Sequence, residues 1–166
     1  MDVTIDMKTG KEIPGKPIFA KTQEEEEKME KIKIKKKRLL WVEDDQQLLD
    51  LYAIMIGAMK GIDVEFMKLG QLAIDRIKDI EAGKAEKPDL VMLDLLLPDV
   101  NGNKILDFMR QTPSTKDIPV FILTNYGGEQ METELTKNLD AEKYLVKTEY
   151  TPTRVMPLIK EKLGLK

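Results

Sequence analysis

The chain has no cysteine, which excludes a disulfide framework, a thiolate metal site and a sulfur nucleophile. It has no histidine either, so the commonest general base, the usual zinc ligand and an internal phosphohistidine relay are all missing. No apolar run approaches the ~20 residues of a membrane span, and no signal peptide is visible at the start. The net charge of −3 is too small to imply a nucleic-acid or membrane surface. Chemistry must therefore run on carboxylates, lysines and hydroxyls. The expectation is a soluble cytoplasmic protein without direct nucleic-acid or membrane contact.

With 166 residues, 42 % of them hydrophobic, the chain suits one domain with a real core. Its charge is uneven. Residues 1–37 carry 10 Lys and 8 acids, and the remainder carries 17 Lys and Arg against 22 acids, so residues 1–37 read as a flexible or partly ordered extension. Within it, residues 3–6 and 8–13 form a candidate hairpin turning at Thr9-Gly10. Pro14, Gly15 and Pro17 then break any regular element, and Thr22 with Glu25 offers a capping box for a short solvated helix. In the basic run over residues 31–38, Ile32 and Ile34 alternate with lysines and no aromatic intervenes. That pattern reads as a solvated lead-in to a strand.

The stretch over residues 88–102, PDLVMLDLLLPDVNG, organises the rest. Leu90 to Leu93 is a short apolar run of the kind that is buried on both faces of a parallel sheet, and it ends in a carboxylate, Asp94. Pro98, Asp99, Asn101 and Gly102 then turn the chain. A second apolar run, Leu39 to Val42, ends in three acids: Glu43, Asp44 and Asp45. Helical spacing over residues 46–60 predicts an amphipathic helix closed by Gly61, and residues 64–68 a strand. Helices follow over 70–82, 103–111, 129–139 and 153–163, with strands over 119–125 and 143–147. Five strands alternating with five helices predict an α/β, doubly wound parallel sheet, flavodoxin-like, with helices on both faces and strand order 2-1-3-4-5.

That order opens a crevice at the carboxyl ends of the first and third strands, where Glu43, Asp44, Asp45 and Asp94 are delivered. Crowded carboxylates repel one another unless a cation sits among them, and hard oxygen ligands without His or Cys suit Mg²⁺. The fourth strand delivers the Thr124 hydroxyl and the fifth the Lys147 ammonium. These are the parts needed to transfer a phosphoryl group onto Asp94, with Mg²⁺ and Lys147 neutralising the phosphoryl oxygens.

The motifs VED at Val42 to Asp44, LDLLLPDVNG at Leu93 to Gly102, Thr124 in FILTN and Lys147 in KYLVK resemble, in order, those of the receiver domain of two-component response regulators. The resemblance covers residues 38–166 and implies that Asp94 is the phosphorylated aspartate. It further implies Asp44 as direct metal ligand, Glu43 as its partner, and the Leu96 carbonyl as the third protein ligand. Asp45 reads instead as a helix N-cap. By the same resemblance Lys147 pairs with the acceptor, while Thr124 and Tyr144 are the switch pair. The implied cofactor is Mg²⁺, and the implied phosphodonor a sensor histidine kinase or phosphotransfer protein. The chain stops just after the last helix. The expected form is therefore a stand-alone receiver, similar to the chemotaxis regulators, that signals to an unknown downstream protein through residues 119–147, with homodimerisation on phosphorylation a further expectation.

The chain departs from the family pattern in three places. Thr148 stands where proline usually follows the lysine, Asn125 and Tyr126 stand where a small residue follows the threonine, and the loop over 81–87 is long. Two other functions compete with a switch that acts catalytically only on itself. A pseudo-receiver, a constitutive interaction module, is opposed by the intact set of Glu43, Asp44, Asp94, Thr124 and Lys147. A phosphohydrolase would carry a second acid two residues after the nucleophile, where this chain has Leu96.

Overall fold

The computed structural model describes residues 3–5, 12–14 and 36–165. The chain divides into two units, Met1–Lys35 and Lys36–Lys166. In the first, β1 (Val3–Ile5) and β2 (Glu12–Pro14) pair antiparallel, with Val3 opposite Pro14 and Ile5 opposite Glu12. This is the hairpin expected from sequence. Its turn at Thr9-Gly10, the helix from Thr22 and the lead-in over residues 31–35 lie outside the described residues.

The second unit is a five-stranded parallel sheet in the order β4-β3-β5-β6-β7. Its strands are β3 (Lys37–Val42), β4 (Ile62–Met67), β5 (Leu90–Leu93), β6 (Val120–Thr124) and β7 (Lys143–Val146). This is the predicted 2-1-3-4-5 order. All residues of β5 and β6 are buried, as expected of central strands covered on both faces, whereas the edge strand β4 alternates. The first strand starts at Lys37 rather than Leu39, because Lys37 and Arg38 still pair with Ile62 and Asp63.

The helices are α1 (Gln46–Gly57), α2 (Gly70–Glu81), α3 (Gly102–Gln111), α4 (Glu129–Thr133) and α5 (Pro152–Leu163). Alternate strand residues feed two cores. Leu40, Val42, Val91, Leu93, Val120 and Ile122 pack with Ala73 and Ile77 of α2 and Ile105, Leu106 and Met109 of α3. On the other face Leu39, Trp41, Met92 and Phe121 pack with Tyr52 and Ile56 of α1 and Val155 and Ile159 of α5. Trp41 lies against Tyr52 with ring centroids 4.1 Å apart. Among the described residues no helix is long and apolar enough to cross a membrane.

Three local features differ from the sequence expectation. Helix α1 ends at Gly57 with Ala58 as its cap, and Gly61, at φ 83°, turns the chain into β4. The outer side of α1 is not wholly polar: beside the exposed Gln46, Gln47 and Asp50 it carries Leu51, 44 % exposed, and Ile54, 73 % exposed. The expected helix over 129–139 is a short α4 followed by a π-helical turn, Glu134–Asn138.

The wide turn is held at its far end from across the fold. Arg110 of α3 donates from Nε to the Leu139 carbonyl at 3.0 Å and from Nη2 to the Asp140 carbonyl at 2.9 Å. Its Nη1 donates to the carbonyls of Lys116 and Ile118, both at 2.9 Å. One planar fork thus ties two loop segments to α3. Replacing it takes the guanidinium donors away from four carbonyls at once. Arg110→Ala is expected to lower unfolding free energy by about 2 kcal/mol, read by urea titration. Arg110→Lys should recover less than half of the loss, since one ammonium cannot span four carbonyls.

Candidate functional site

The site follows from strand register. Val42 of β3 lies opposite Leu93 of β5, so the next residues, Glu43 and Asp94, emerge side by side. Their backbones are held by Glu43 N–H donating to the Met67 carbonyl and Asp94 N–H to the Val42 carbonyl, both at 2.9 Å. Val146 of β7 lies opposite Thr124 of β6. Lys147, just beyond, donates its backbone N–H to the Thr124 carbonyl at 2.8 Å.

Lys147 then reaches across the strand tips. Its Nζ sits 2.6 Å from Glu43 Oε2 and 2.6 Å from Asp94 Oδ2. The carboxylates are almost fully buried, Glu43 1 % and Asp94 4 % exposed, while Asp44 beside them is open to solvent. One carboxylate oxygen from each of Glu43, Asp44 and Asp94 lies within 4.8 Å of the others. Three hard oxygen donors this close, on an open side of the site, fit a divalent cation. Glu43 Oε2 adds to the fit: it is buried and meets the ammonium's charge without a well-directed hydrogen bond. Two buried carboxylates thus share one ammonium.

The remaining residues singled out from sequence fall around this cluster. Asp45 caps α1, its Oδ1 accepting from Gln47 N–H at 2.9 Å and Leu48 N–H at 3.1 Å, which is the N-cap role expected for it. Leu96 presents its peptide to Asp94, its N–H donating to Asp94 Oδ1 at 3.1 Å. Thr124 is fully buried at the tip of β6, where its Oγ1 accepts from Tyr126 N–H at 3.3 Å. Tyr144 is turned inward and donates its O–H to the Tyr126 carbonyl at 2.5 Å. The two switch candidates therefore hold opposite ends of one residue's backbone. Sequence reading treated Tyr126 only as a departure from pattern. Its backbone role had no signal there, because any residue supplies an N–H and a carbonyl.

Gly102 also belongs to the site for a steric reason. A Cβ there would lie 2.3 Å from the Asp94 carbonyl and 2.8 Å from Leu95 Cα. The loop returning from the acceptor therefore passes too close to it for any side chain. Among the described residues no peptide bond is cis, so Thr148 follows Lys147 in the trans form.

The sequence matches the family model of the response regulator receiver domain over residues 39–159. The chain belongs to that family. This receiver is 36 % identical over 119 residues to the DNA-binding dual master transcriptional regulator RpaA of Synechocystis sp., covering 66 % of this chain and 46 % of that protein. It is 32 % identical over 111 residues to the phosphate regulon transcriptional regulatory protein PhoB of Rhizobium meliloti, covering 67 % and 45 %. The chain thus spans under half the length of these curated relatives. The crystal structure of the Mn²⁺-bound form of response regulator Rcp1 superposes on the receiver with a TM-score of 0.66 at 26 % identity, covering 78 % of this chain and 95 % of that one. The phosphorylated cyanobacterial phytochrome response regulator RcpA shares the fold with a TM-score of 0.68 at 24 % identity, covering 78 % and 94 %.

Burial is the main force raising the Glu43 pKa, with the Lys147 contact pulling down and the Asp94 charge adding to the rise, and the result is about 7. For Lys147, burial favours the neutral amine, but the bonds to Asp94 and Glu43 together outweigh it and hold the ammonium above its ordinary range. The two groups pull stability in different pH windows. A carboxyl raised from 4.5 to about 7 is protonated in the folded chain while the unfolded chain has already ionised, so stability falls as pH rises through that interval. The Lys147 contribution is intact there and is lost only above its ordinary value of 10.5. In metal-free buffer, urea titrations are expected to show the wild type losing about 1–3 kcal/mol across the Glu43 window. Glu43→Gln should flatten that slope, and an unchanged slope in the variant would contradict the assignment.

Proposed function

We propose that this receiver is the phosphorylation-dependent switch of a two-component relay, with Asp94 accepting a phosphoryl group from a histidine kinase or phosphotransfer protein. The observation that carries the reading is the Lys147 ammonium bridging the buried Asp94 and Glu43, next to an open acid, Asp44. An oxygen of Asp94 attacks phosphorus as the P–N bond of a phosphohistidine breaks, leaving an acyl phosphate here and a neutral imidazole on the donor once it takes a proton. Mg²⁺ held by Glu43, Asp44, Asp94 and the Leu96 carbonyl would supply the charge neutralisation that in-line transfer requires.

Every other part belongs to the chain itself. Lys147 holds the carboxylate in place and then pairs with the incoming phosphoryl oxygens. Thr124, whose hydroxyl meets only the long bond from Tyr126 N–H, turns to a phosphoryl oxygen. That releases the Tyr126 backbone, which Tyr144 holds from its other end. Output then passes to a downstream protein through the surface over residues 119–147 by biasing two arrangements of it, and phosphorylation-linked homodimerisation acts through the same bias. We read the chain as acting catalytically only on its own aspartate, in the cytoplasm where a kinase presents its phosphodonor. The extension over residues 1–37 is a second candidate for partner contact beside the receiver over 38–166. The Mn²⁺-bound relative supports a cation site of this kind.

Intact mass after incubation with acetyl phosphate, with and without Mg²⁺, tests the reading. The expected result is a Mg²⁺-dependent, base-labile phosphoryl adduct that Asp94→Asn abolishes and that Lys147→Ala slows by about 100-fold. A folded, cation-binding protein that forms no adduct would replace this reading with that of a constitutive interaction module.

A further inference from the structure

Helix α2 has no cap of its own. The residue at its N-cap position is Leu69, whose side chain makes no capping hydrogen bond. Two of the orphan amides of its first turn are satisfied from elsewhere: Gly70 N–H donates to Asp99 Oδ1 and Gln71 N–H to Asp99 Oδ2, both at 2.8 Å. Asp99 lies 29 residues from Gly70, in the loop that leaves the acceptor Asp94. One carboxylate thus serves both amides, a bidentate cap supplied by a different loop.

The contact is closed sterically as well. A Cβ on Gly70 would lie 2.8 Å from both the Cβ and the carbonyl oxygen of Val100, so the start of α2 rests directly on the residue after Asp99. The loop's other hydrogen bonds lie toward its two ends, with Leu97 and Val100 packed against the core. Its first half is tied to the acceptor by Leu96 N–H on Asp94 Oδ1, and its ends are closed by Gly102 N–H on the Leu95 carbonyl at 3.0 Å. Asp99 is the tie at its tip. The Gln71 amide foremost, with the Gly70 amide adding to it, holds the Asp99 carboxyl below its ordinary range, so the latch carries its negative charge throughout the neutral range.

We infer that Asp99 is a positioning residue: by capping α2 across the fold it fixes the acceptor loop so that the Leu96 carbonyl faces the Glu43–Asp44–Asp94 cluster. This rests on the reading of Leu96 as a metal ligand. It also makes α2 an energetic partner of the metal site. If the cap favours metal binding, bound metal must favour the cap by the same factor.

Two measurements on the full chain test this, Mn²⁺ affinity by titration and amide exchange at Gly70 and Gln71 with and without Mg²⁺. Asp99→Ala is expected to weaken Mn²⁺ binding by about 10-fold, the usual loss when a group orienting a ligand is removed. Asp99→Asn, whose one carbonyl oxygen can take only one of the two amides while its NH2 faces the other, should recover only part of that loss. Gln71→Pro removes one of the two amides from the opposite side of the latch, in a helix turn that tolerates proline, and should shift affinity the same way. In the wild type Mg²⁺ should slow exchange at both amides, and in Asp99→Ala it should not. Wild-type Mn²⁺ affinity in both Asp99→Ala and Gln71→Pro, with Gly70 and Gln71 exchanging fast in Asp99→Ala and Gly70 exchanging fast in Gln71→Pro, would overturn the inference while leaving the metal site intact. A wild type that binds no Mn²⁺ would instead overturn the metal reading on which it rests.

Discussion

One ammonium between two buried carboxylates governs this fold's chemistry. Lys147 Nζ lies 2.6 Å from Glu43 and 2.6 Å from Asp94, and without it two acids would be packed side by side with almost no water. Desolvation makes a buried unpaired charge far more costly than an exposed one, so neither acid would be tolerated there as a bare anion. Yet one positive charge cannot balance two negative ones. Burial foremost, with the Asp94 charge adding to it, pushes the Glu43 carboxyl up to about 7 even though it touches the ammonium. The site is therefore built short of positive charge. A divalent cation next to Asp44 and a phosphoryl group drawn to Lys147 are two ways of changing that balance, and each would alter what the other meets.

The sheet makes this arrangement with little freedom to miss. Glu43, Asp94, Thr124 and Lys147 come from the tips of four strands whose registers are set by continuous buried runs. A slip of one residue in any strand would turn its whole apolar set to the wrong face. The core thus positions the site by the same packing that stabilises the fold. Gly102 extends the principle to the loop, since no side chain fits against the Asp94 carbonyl and the return path is dictated by contact.

Much of this was legible in the sequence because the signals were local. Leu90 to Leu93 and Val120 to Thr124 are unbroken apolar runs ending in a polar residue, and those runs are the central strands. Their order followed from the alternation of strands with helices, and the carboxyl-end rule then placed Asp94, Glu43 and Lys147 at one crevice. What sequence reading missed depends on partners distant in the chain. Arg110 carries no local signal, because its role is set by carbonyls 6 to 30 residues away. Asp99 looked like a turn residue, and its amide partners precede it by 28 and 29 residues. The helical spacing in α1 marked its buried stripe of Leu49, Tyr52 and Ile56 but did not show that Leu51 and Ile54 on the other side are left uncovered. The π-helical turn after α4 had no sequence mark either: its far end is fixed by Arg110, and Leu135 inside it is wholly buried.

Two hydrogen-bonded paths leave the acceptor in opposite directions, and their mechanical settings differ. Toward α2 the path is short and stiff, running from Asp94 through the Leu96 amide and the loop to Asp99, with Val100 filling the space over Gly70. Toward α4 it runs from Asp94 through Lys147, whose backbone N–H donates to the Thr124 carbonyl, to the Tyr126 backbone held by Thr124 and Tyr144, and then meets Gly127 and Gly128. A Cβ on Gly128 would meet nothing within 4 Å, and one on Gly127 would meet only Val146, at 3.8 Å. Close packing therefore does not demand either glycine, and what they contribute is backbone freedom. The far end of the same segment is clamped where Arg110 binds the Leu139 and Asp140 carbonyls. The segment is thus held before its start by the bonds to the Tyr126 backbone, within it by the buried Leu135, and at its far end by Arg110. A change in how Thr124 and Tyr144 hold Tyr126 would therefore reach Glu129–Thr133 through the chain that leads into it.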